Sequence, residues 1–322
     1  MKKTFSLTFL FLLVLPVLFS GGCRDTQPAS DEALLFPPQR VSPDSYRDIV
    51  KTFESYGYSW ETVAQGVPPL ILTRMPEDLN LTPHVSDKKE LFYLSLLPMA
   101  LMLNEDIAHQ RQQMKHILSL IEGGDPLTLD QQVTLSELRR QYLIKGDPAT
   151  SKAARRELRK RVDTLPPSLL LAQAANESGY GSSRFAREAN NLFGEWTFTP
   201  GTGLVPEDRP EGETYEVRVF DTVYDSLKSY LRNINTHWAY TSLRKERARI
   251  RKEGRIPRGV ELAGGLELYS TRRGAYVEEI RAMIRNNNLS ELSRTELRSP
   301  IQTQRYGRPK ESILEVAYGQ NR

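Results

Sequence analysis

Glu177 is the side chain in this sequence best placed for proton chemistry. The stretch around it, Pro166 to Trp196, begins as an apolar helix and then turns polar. Pro166 and Pro167 suit a helical first turn, and Leu170, Ala174 and Glu177 follow at i, i+4 and i+7 on one face. Gly179 can take the left-handed conformation that closes a helix, which leaves Glu177 in the final turn. There the partial negative charge of the helix C-terminus opposes ionisation, and partial burial acts in the same direction. A carboxylic acid still protonated near neutral pH is what general acid catalysis requires. The competing reading is an ordinary surface glutamate near a helix end, because shifted titration and function are linked only statistically.

Other chemistries find little support. Cys23 is the one cysteine in 322 residues, so neither an intrachain disulfide nor a cysteine-based metal site can form. His84, His109, His116 and His237 lack the spacing of metal ligands and read as structural. No phosphate-cradling glycine loop and no GxSxG turn is present, and no cofactor or metal is expected.

The elements that must position Glu177 are mostly helical. Tyr46, Ile49, Val50, Phe53 and Tyr56 predict a short amphipathic helix ending at Gly57, and Val63 to Pro83 reads as irregular with some extended pieces. Leu91 to Leu103 is almost wholly apolar, which fits a buried core helix opened by Asp87 and Glu90 and kinked at Pro98. That helix can continue to Gly123-Gly124, and another follows over Leu129 to Ile144. The basic runs Lys152 to Arg161 and Arg244 to Lys252 read as solvated helix faces. Between them, Glu213 to Phe220 alternates like a strand, predicting a small β-hairpin, and Thr222 with Asp225 predicts the cap of a helix carrying Val223, Leu227, Tyr230, Leu231 and Ile234. A last helix carries Tyr276, Ile280, Met283 and Ile284, and the tail beyond Leu289 reads as loosely packed.

The N-terminus reads as an export signal: Lys2 and Lys3 precede an apolar run from Phe5 to Phe19 and then Ser20-Gly21-Gly22-Cys23. Cys23 follows small residues as in a bacterial lipobox, which predicts lipidation there and membrane attachment through that lipid, although Ser20 stands where a leucine is usual. The resulting division is a signal over 1–22, a tethering linker over 23–45, a helical region over 46–150, a catalytic unit over 151–289 and a tail over 290–322. Net charge is only +4, two of it from Lys2 and Lys3, and so balanced a chain with an export signal gives no reason to expect nucleic acid as a partner.

The block Ala172-Gln-Ala-Ala-Asn-Glu177-Ser-Gly-Tyr-Gly-Ser182, followed by Asn190-Asn191-Leu192-Phe193-Gly194, resembles the signature of bacterial N-acetylglucosaminidase domains of glycoside hydrolase family 73. Val217 to Thr222 is similar to the family's F-R-x-Y-x-S strand end, and Tyr269-Ser270-Thr271 with Tyr276 to its Y-A-T and following tyrosine. Asn235-Thr236-His237 with Tyr240, and the long helical N-terminal half, resemble the Bax-like branch.

This resemblance implies a mainly α (α+β) fold, in which a lysozyme-like helical lobe faces a small β-hairpin lobe behind a helical N-terminal region. It implies peptidoglycan glycan strands in the groove and cleavage of the β-1,4 bond after N-acetylglucosamine, with Glu177 as general acid. Asn191, Phe193, Trp196, Tyr269 and Tyr276 are the implied substrate contacts, although each aromatic is also a credible core residue.

Glycosidases commonly use two carboxylates, and the family often takes the second from the β-lobe hairpin. Glu207, Glu211, Glu213 and Glu216 compete for that place. Strand alternation puts Glu213 beside Tyr215 and Val217 and ranks it first, with Glu195 next to the NNLFG block as the outsider and the substrate's own 2-acetamido group as a further possibility. Two rival readings stand beside the hydrolase: a lytic transglycosylase, which lacks support because no Gly-Leu-Met-Gln stretch follows Glu177, and a tethered peptidoglycan-binding scaffold with little activity.

Overall fold

Burial of one helix organises the chain. The structure, a computed structural model, describes residues 38–299 apart from 208. In order, the elements are β1 (Gln39–Val41), α1 (Tyr46–Ser55), β2 (Leu70–Leu72), α2 (Val85–Gly123), α3 (Leu129–Gln141), α4 (Lys152–Arg161), α5 (Pro167–Ser178), α6 (Arg184–Glu188), β3 (Trp196–Thr197), β4 (Gly203–Leu204), β5 (Glu216–Arg218), α7 (Val223–Thr236), α8 (Thr241–Lys252), α9 (Gly259–Leu262), α10 (Gly274–Asn286) and α11 (Leu289–Leu292). The fold is mainly α, as the sequence predicts, and carries two small sheets.

Ten of the twelve residues of α5 are buried, and the helix packs against α2, α9, α10 and α11. Only Asn176 and Glu177 reach toward solvent from it. A single apolar core runs from Ile49 to Leu292 through α5, and a second, smaller one joins the C-terminal half of α2 to α3 and α4. Packing therefore continues across residue 150: Ala154 and Leu158 of α4 share the smaller core with Leu135 and Leu138 of α3.

Helix α2 is one helix of 39 residues, running through Pro98 and starting at Val85, two residues before Asp87. It is long and apolar enough to cross a membrane, yet its apolar window is mostly buried inside the protein, so it serves as a core helix.

Four expectations need correction. The strand near Glu213 is only Glu216–Arg218; it forms the expected hairpin with Gly203–Leu204 and also pairs antiparallel with Trp196–Thr197, as the centre of a three-stranded sheet of order β3-β5-β4. Gln39–Val41, inside the stretch expected to be linker, belongs to the fold, pairing in parallel with Leu70–Leu72. The segment after Leu289 is packed as far as the description reaches. Leu292 is buried, Leu297 bridges to Val67, and Arg298 donates to the carbonyls of Tyr56, Gly57 and Gly66. Cys23 and the rest of the proposed signal lie outside the described residues.

The fourth correction concerns the basic runs, which are not simply solvated. Arg244 and Arg247 are buried at 2% and 0% exposure, because helix ends leave carbonyls without partners and these guanidinium groups supply them. Arg244 donates to the carbonyls of Ile234 and His237 at the end of α7. Arg247 donates to those of Lys160, Asp163 and Thr164 and to Asn235 Oδ1. Buried Asp163 supplies the countercharge, with Arg251 at 2.8 Å, Arg111 at 3.4 Å and Arg247 at 3.6 Å.

Candidate active site

Helix α5 stops where the sequence says it must. Gly179 closes it in the left-handed conformation, φ 57° and ψ 45°, and Gly181 follows at φ 75°. A Cβ on Gly181 would come within 2.7 Å of Met75 and 3.2 Å of Phe92, so the helical N-terminal region presses directly on this turn. Buried Ser178 locks the exit by donating to the Ala174 carbonyl at 2.6 Å and accepting from the Gly181 amide at 2.8 Å.

The Glu177 carboxylate is thereby held against the protein. Tyr276 donates its phenol proton to Glu177 Oε1 at 2.8 Å. Behind it, Gln173 Nε2 donates to the Tyr276 oxygen at 3.0 Å, and Tyr230 donates to Gln173 Oε1. Every donor in this buried chain points toward Glu177. Burial raises the Glu177 pKa above its ordinary value, while the bonds from Tyr276 and Asn176 and the charge of Arg272 pull partly against it.

A cavity of about 460 Å³ opens between α7, the loop before α10 and the sheet. Its walls include Phe193, Trp196, Phe198, Tyr230, Trp238, Tyr240 and Tyr269, an apolar lining in the size range of small-ligand sites. Phe193 stacks on Tyr230 at 3.9 Å, and Tyr269 stacks on Tyr276 at 5.2 Å. Glu177 is not in the cavity wall. It reaches toward solvent beside the cavity and is joined to the wall through Tyr276, which stacks on Tyr269.

The residues expected at the site separate into two groups. Phe193, Trp196 and Tyr269 line the cavity. Tyr276 is 1% exposed and bonded at its oxygen on both sides, so its place is behind the wall. Asn191 is likewise buried, and its side chain ties the β lobe together: Nδ2 donates to the carbonyls of Glu195 and Arg218, and Oδ1 accepts from the Glu195 amide.

Among the candidate second carboxylates, Glu213 is exposed on the loop before β5 and takes no part in the cavity lining. Glu216 is buried, and its oxygens accept from the amides of Gly201 and Gly203 at 2.9 and 2.8 Å, bonds that hold its pKa below the ordinary value. Glu195 is the candidate that faces the cavity. Ser229 donates to its carboxylate at 2.8 Å and Arg218 at 2.7 Å. The charges of both Glu177 and Glu195 act on buried Tyr240, raising its pKa further beyond what burial does.

A family model described as glucosaminidase, mannosyl-glycoprotein endo-beta-N-acetylglucosaminidase, matches residues 152–289, from α4 through α10. Protein bax of Escherichia coli (strain K12) is 30% identical over 210 residues, which cover 65% of this chain and 73% of that protein. The chain belongs to the glucosaminidase family, in its Bax-like branch. The catalytic domain of the autolysin Auto from Listeria monocytogenes is a solved structure with 19% identity and a TM-score of 0.32, covering 52% of this chain and 89% of its own. In this Bax-like glucosaminidase domain the matched segment contains α5, every residue lining the cavity except Leu143, and all three strands of the larger sheet.

Signals for the cavity's remaining walls were present in the sequence but carried no label. Trp238 is 61% exposed at the cavity, two residues before Tyr240, and Ser229 lies on the exposed side of α7. An exposed tryptophan in an otherwise amphipathic stretch is such a signal, but only the fold says what it faces.

Proposed function

We propose that this protein is a peptidoglycan hydrolase of the bacterial cell envelope, cleaving the β-1,4 bond after N-acetylglucosamine. The observation that carries the reading is the Glu177 carboxyl group, kept toward its protonated form by burial at the end of α5 and gripped by Tyr276 beside an aromatic cavity. The family's description as an endo-beta-N-acetylglucosaminidase supports the reaction class.

In this reading Glu177 protonates the glycosidic oxygen as the bond to the anomeric carbon breaks. Phe193, Trp196 and Tyr269 offer flat apolar faces to the sugar rings. Water supplies the hydroxyl that ends on the anomeric carbon, and its proton leaves to a base. Glu195 is favoured over Glu213 as the second carboxylate, because Ser229 and Arg218 hold it at the cavity whereas Glu213 lies on an exposed loop.

Digestion of purified sacculi followed by muropeptide analysis tests the reading. New reducing-end N-acetylglucosamine is the expected product; anhydro-muramyl ends would assign a lytic transglycosylase, and no new ends at all would leave a binding protein. Lipid attachment at Cys23 is part of the same proposal and rests on the leader sequence. Cys23→Ser should move the protein from the membrane to the soluble fraction.

A further inference from the structure

The cavity carries charges that the hydrolytic reading does not use. Five charged residues line it: Arg218, Arg232, Arg273, Glu195 and Glu267. Arg218 is committed to Glu195. Arg232, on the exposed side of α7, and Arg273, just before α10, form no ion pair among the described residues. Two guanidinium groups thus stand at one cavity with Glu267 as the one carboxylate not held by an arginine.

Arg273 is also the residue with the least comfortable backbone at the site. It sits at φ 45° and ψ −115°, in a region that favours glycine, where a side chain carries strain. The turn is fixed nevertheless, since the Arg273 amide donates to the Ser270 carbonyl at 3.0 Å and the Val277 amide donates to the Arg273 carbonyl at 3.2 Å. Glycine would be easier there, and it would remove a guanidinium from the cavity wall.

We propose that Arg232 and Arg273 form a carboxylate-binding lip that makes the cavity select glycan strands by the acidic groups on their muramyl residues. The inference rests on the reading of the cavity as a glycan site. A guanidinium binds a carboxylate through two parallel hydrogen bonds, which gives direction as well as charge. Carboxylates reach such a strand from two sources, the peptide stem or the lactyl group left when the stem is absent.

The test reads binding, so that it does not depend on hydrolysis. Full-length protein carrying Glu177→Gln is sedimented with three materials: intact peptidoglycan, stem-stripped glycan, and peptidoglycan whose carboxylates have been converted to amides. Intact strands should bind roughly tenfold more tightly than amidated ones, the scale of a charge-assisted hydrogen bond. In Arg232→Ala with Arg273→Gly that ratio should fall to about one. The melting temperature of Arg273→Gly alone should be no lower than that of the parent, because the backbone strain is relieved. Retained preference for stem-stripped over amidated glycan assigns the lactyl carboxylate; loss of it assigns the stem.

Equal binding of intact and amidated strands by the parent, or a ratio unchanged in the double variant, overturns the proposal. A parent that discriminates in binding yet releases no reducing ends from sacculi overturns the hydrolase reading and leaves the lip in place.

Discussion

The phenol of Tyr276 donates to the carboxylate of Glu177 at 2.8 Å while itself accepting from Gln173. That bond favours the ionised glutamate, whereas burial favours the neutral one, and burial is the larger influence. Tyr276→Phe removes the opposing influence. The pH at which activity falls on the alkaline side should therefore move up, measured as the pH profile of reducing-end release. The same change strands Gln173 Nε2 in the core, and stability should drop by about 1–3 kcal/mol in urea titration.

Glu177→Gln separates function from stability. With Glu177 as the proposed general acid, its loss should lower the rate by about 10²- to 10⁴-fold. The raised pKa means that the folded chain holds this proton more tightly than the unfolded chain, whose value lies near the ordinary 4.5. That contribution is fully present below the unfolded value and is lost as pH rises through the folded one. Glutamine cannot ionise, so the variant should gain stability relative to the parent across that window, read as a melting-temperature difference that widens from acid to neutral pH.

The position of Glu177 was legible because it depends on local rules: an apolar i, i+4, i+7 stripe, a proline pair at one end and a left-handed glycine at the other. The helix Val223–Thr236 was legible for the same reason, and Thr222 caps it by accepting from the Asp225 amide. The β lobe was not. Its strands are two or three residues long, too short for alternation to assign faces, and Glu216 and Val217, which alternation puts on opposite sides, are both buried. What fixes Glu216 is a pair of amides at and just before the start of β4, and what fixes Glu195 is Ser229 on a helix 34 residues away in sequence. The burial of Arg244 and Arg247 was illegible too, since the carbonyls they satisfy belong to other elements.

Glu195 provides a prediction about mechanism. Removing its carboxylate should slow hydrolysis by on the order of 10²-fold or more, with glycan binding much less affected. Glu195→Ala assayed with added azide should recover turnover as a glycosyl azide, whose anomeric configuration reports on the side from which the water attacks. Glu213→Ala, on its exposed loop, should remain close to the parent rate. The reverse ranking of the two variants would return the second role to Glu213.

Asp163 should be the most sensitive position for stability outside the apolar core. It is 1% exposed and faces Arg111, Arg247 and Arg251, so it joins α2, the segment after α4, and α8. Asp163→Ala leaves buried positive charge without its partner, an effect of about 3–5 kcal/mol in comparable buried pairs. Urea titration should show the loss directly. Asp163→Asn, which keeps the shape and removes the charge, should fail to restore it.

Arg298 ties the last described segment to the beginning of the fold. Its guanidinium donates to the carbonyls of Tyr56, Gly57 and Gly66, closing the loop after α1 over a sequence separation of 242 residues at its longest. Next to it, the Val67 amide donates to the Glu296 carbonyl and the Arg298 amide to the Val67 carbonyl. Arg298→Ala exposes those loop carbonyls to water or leaves them unpaired, and local stability should fall by about 1–3 kcal/mol. The effect should appear as faster proteolytic cleavage and amide exchange within 56–67, while exchange in α5 stays slow, because the core of α5 is closed by α2, α10 and α11 and not by this strap. Equal acceleration in both regions would instead make the strap part of one cooperative unit with α5.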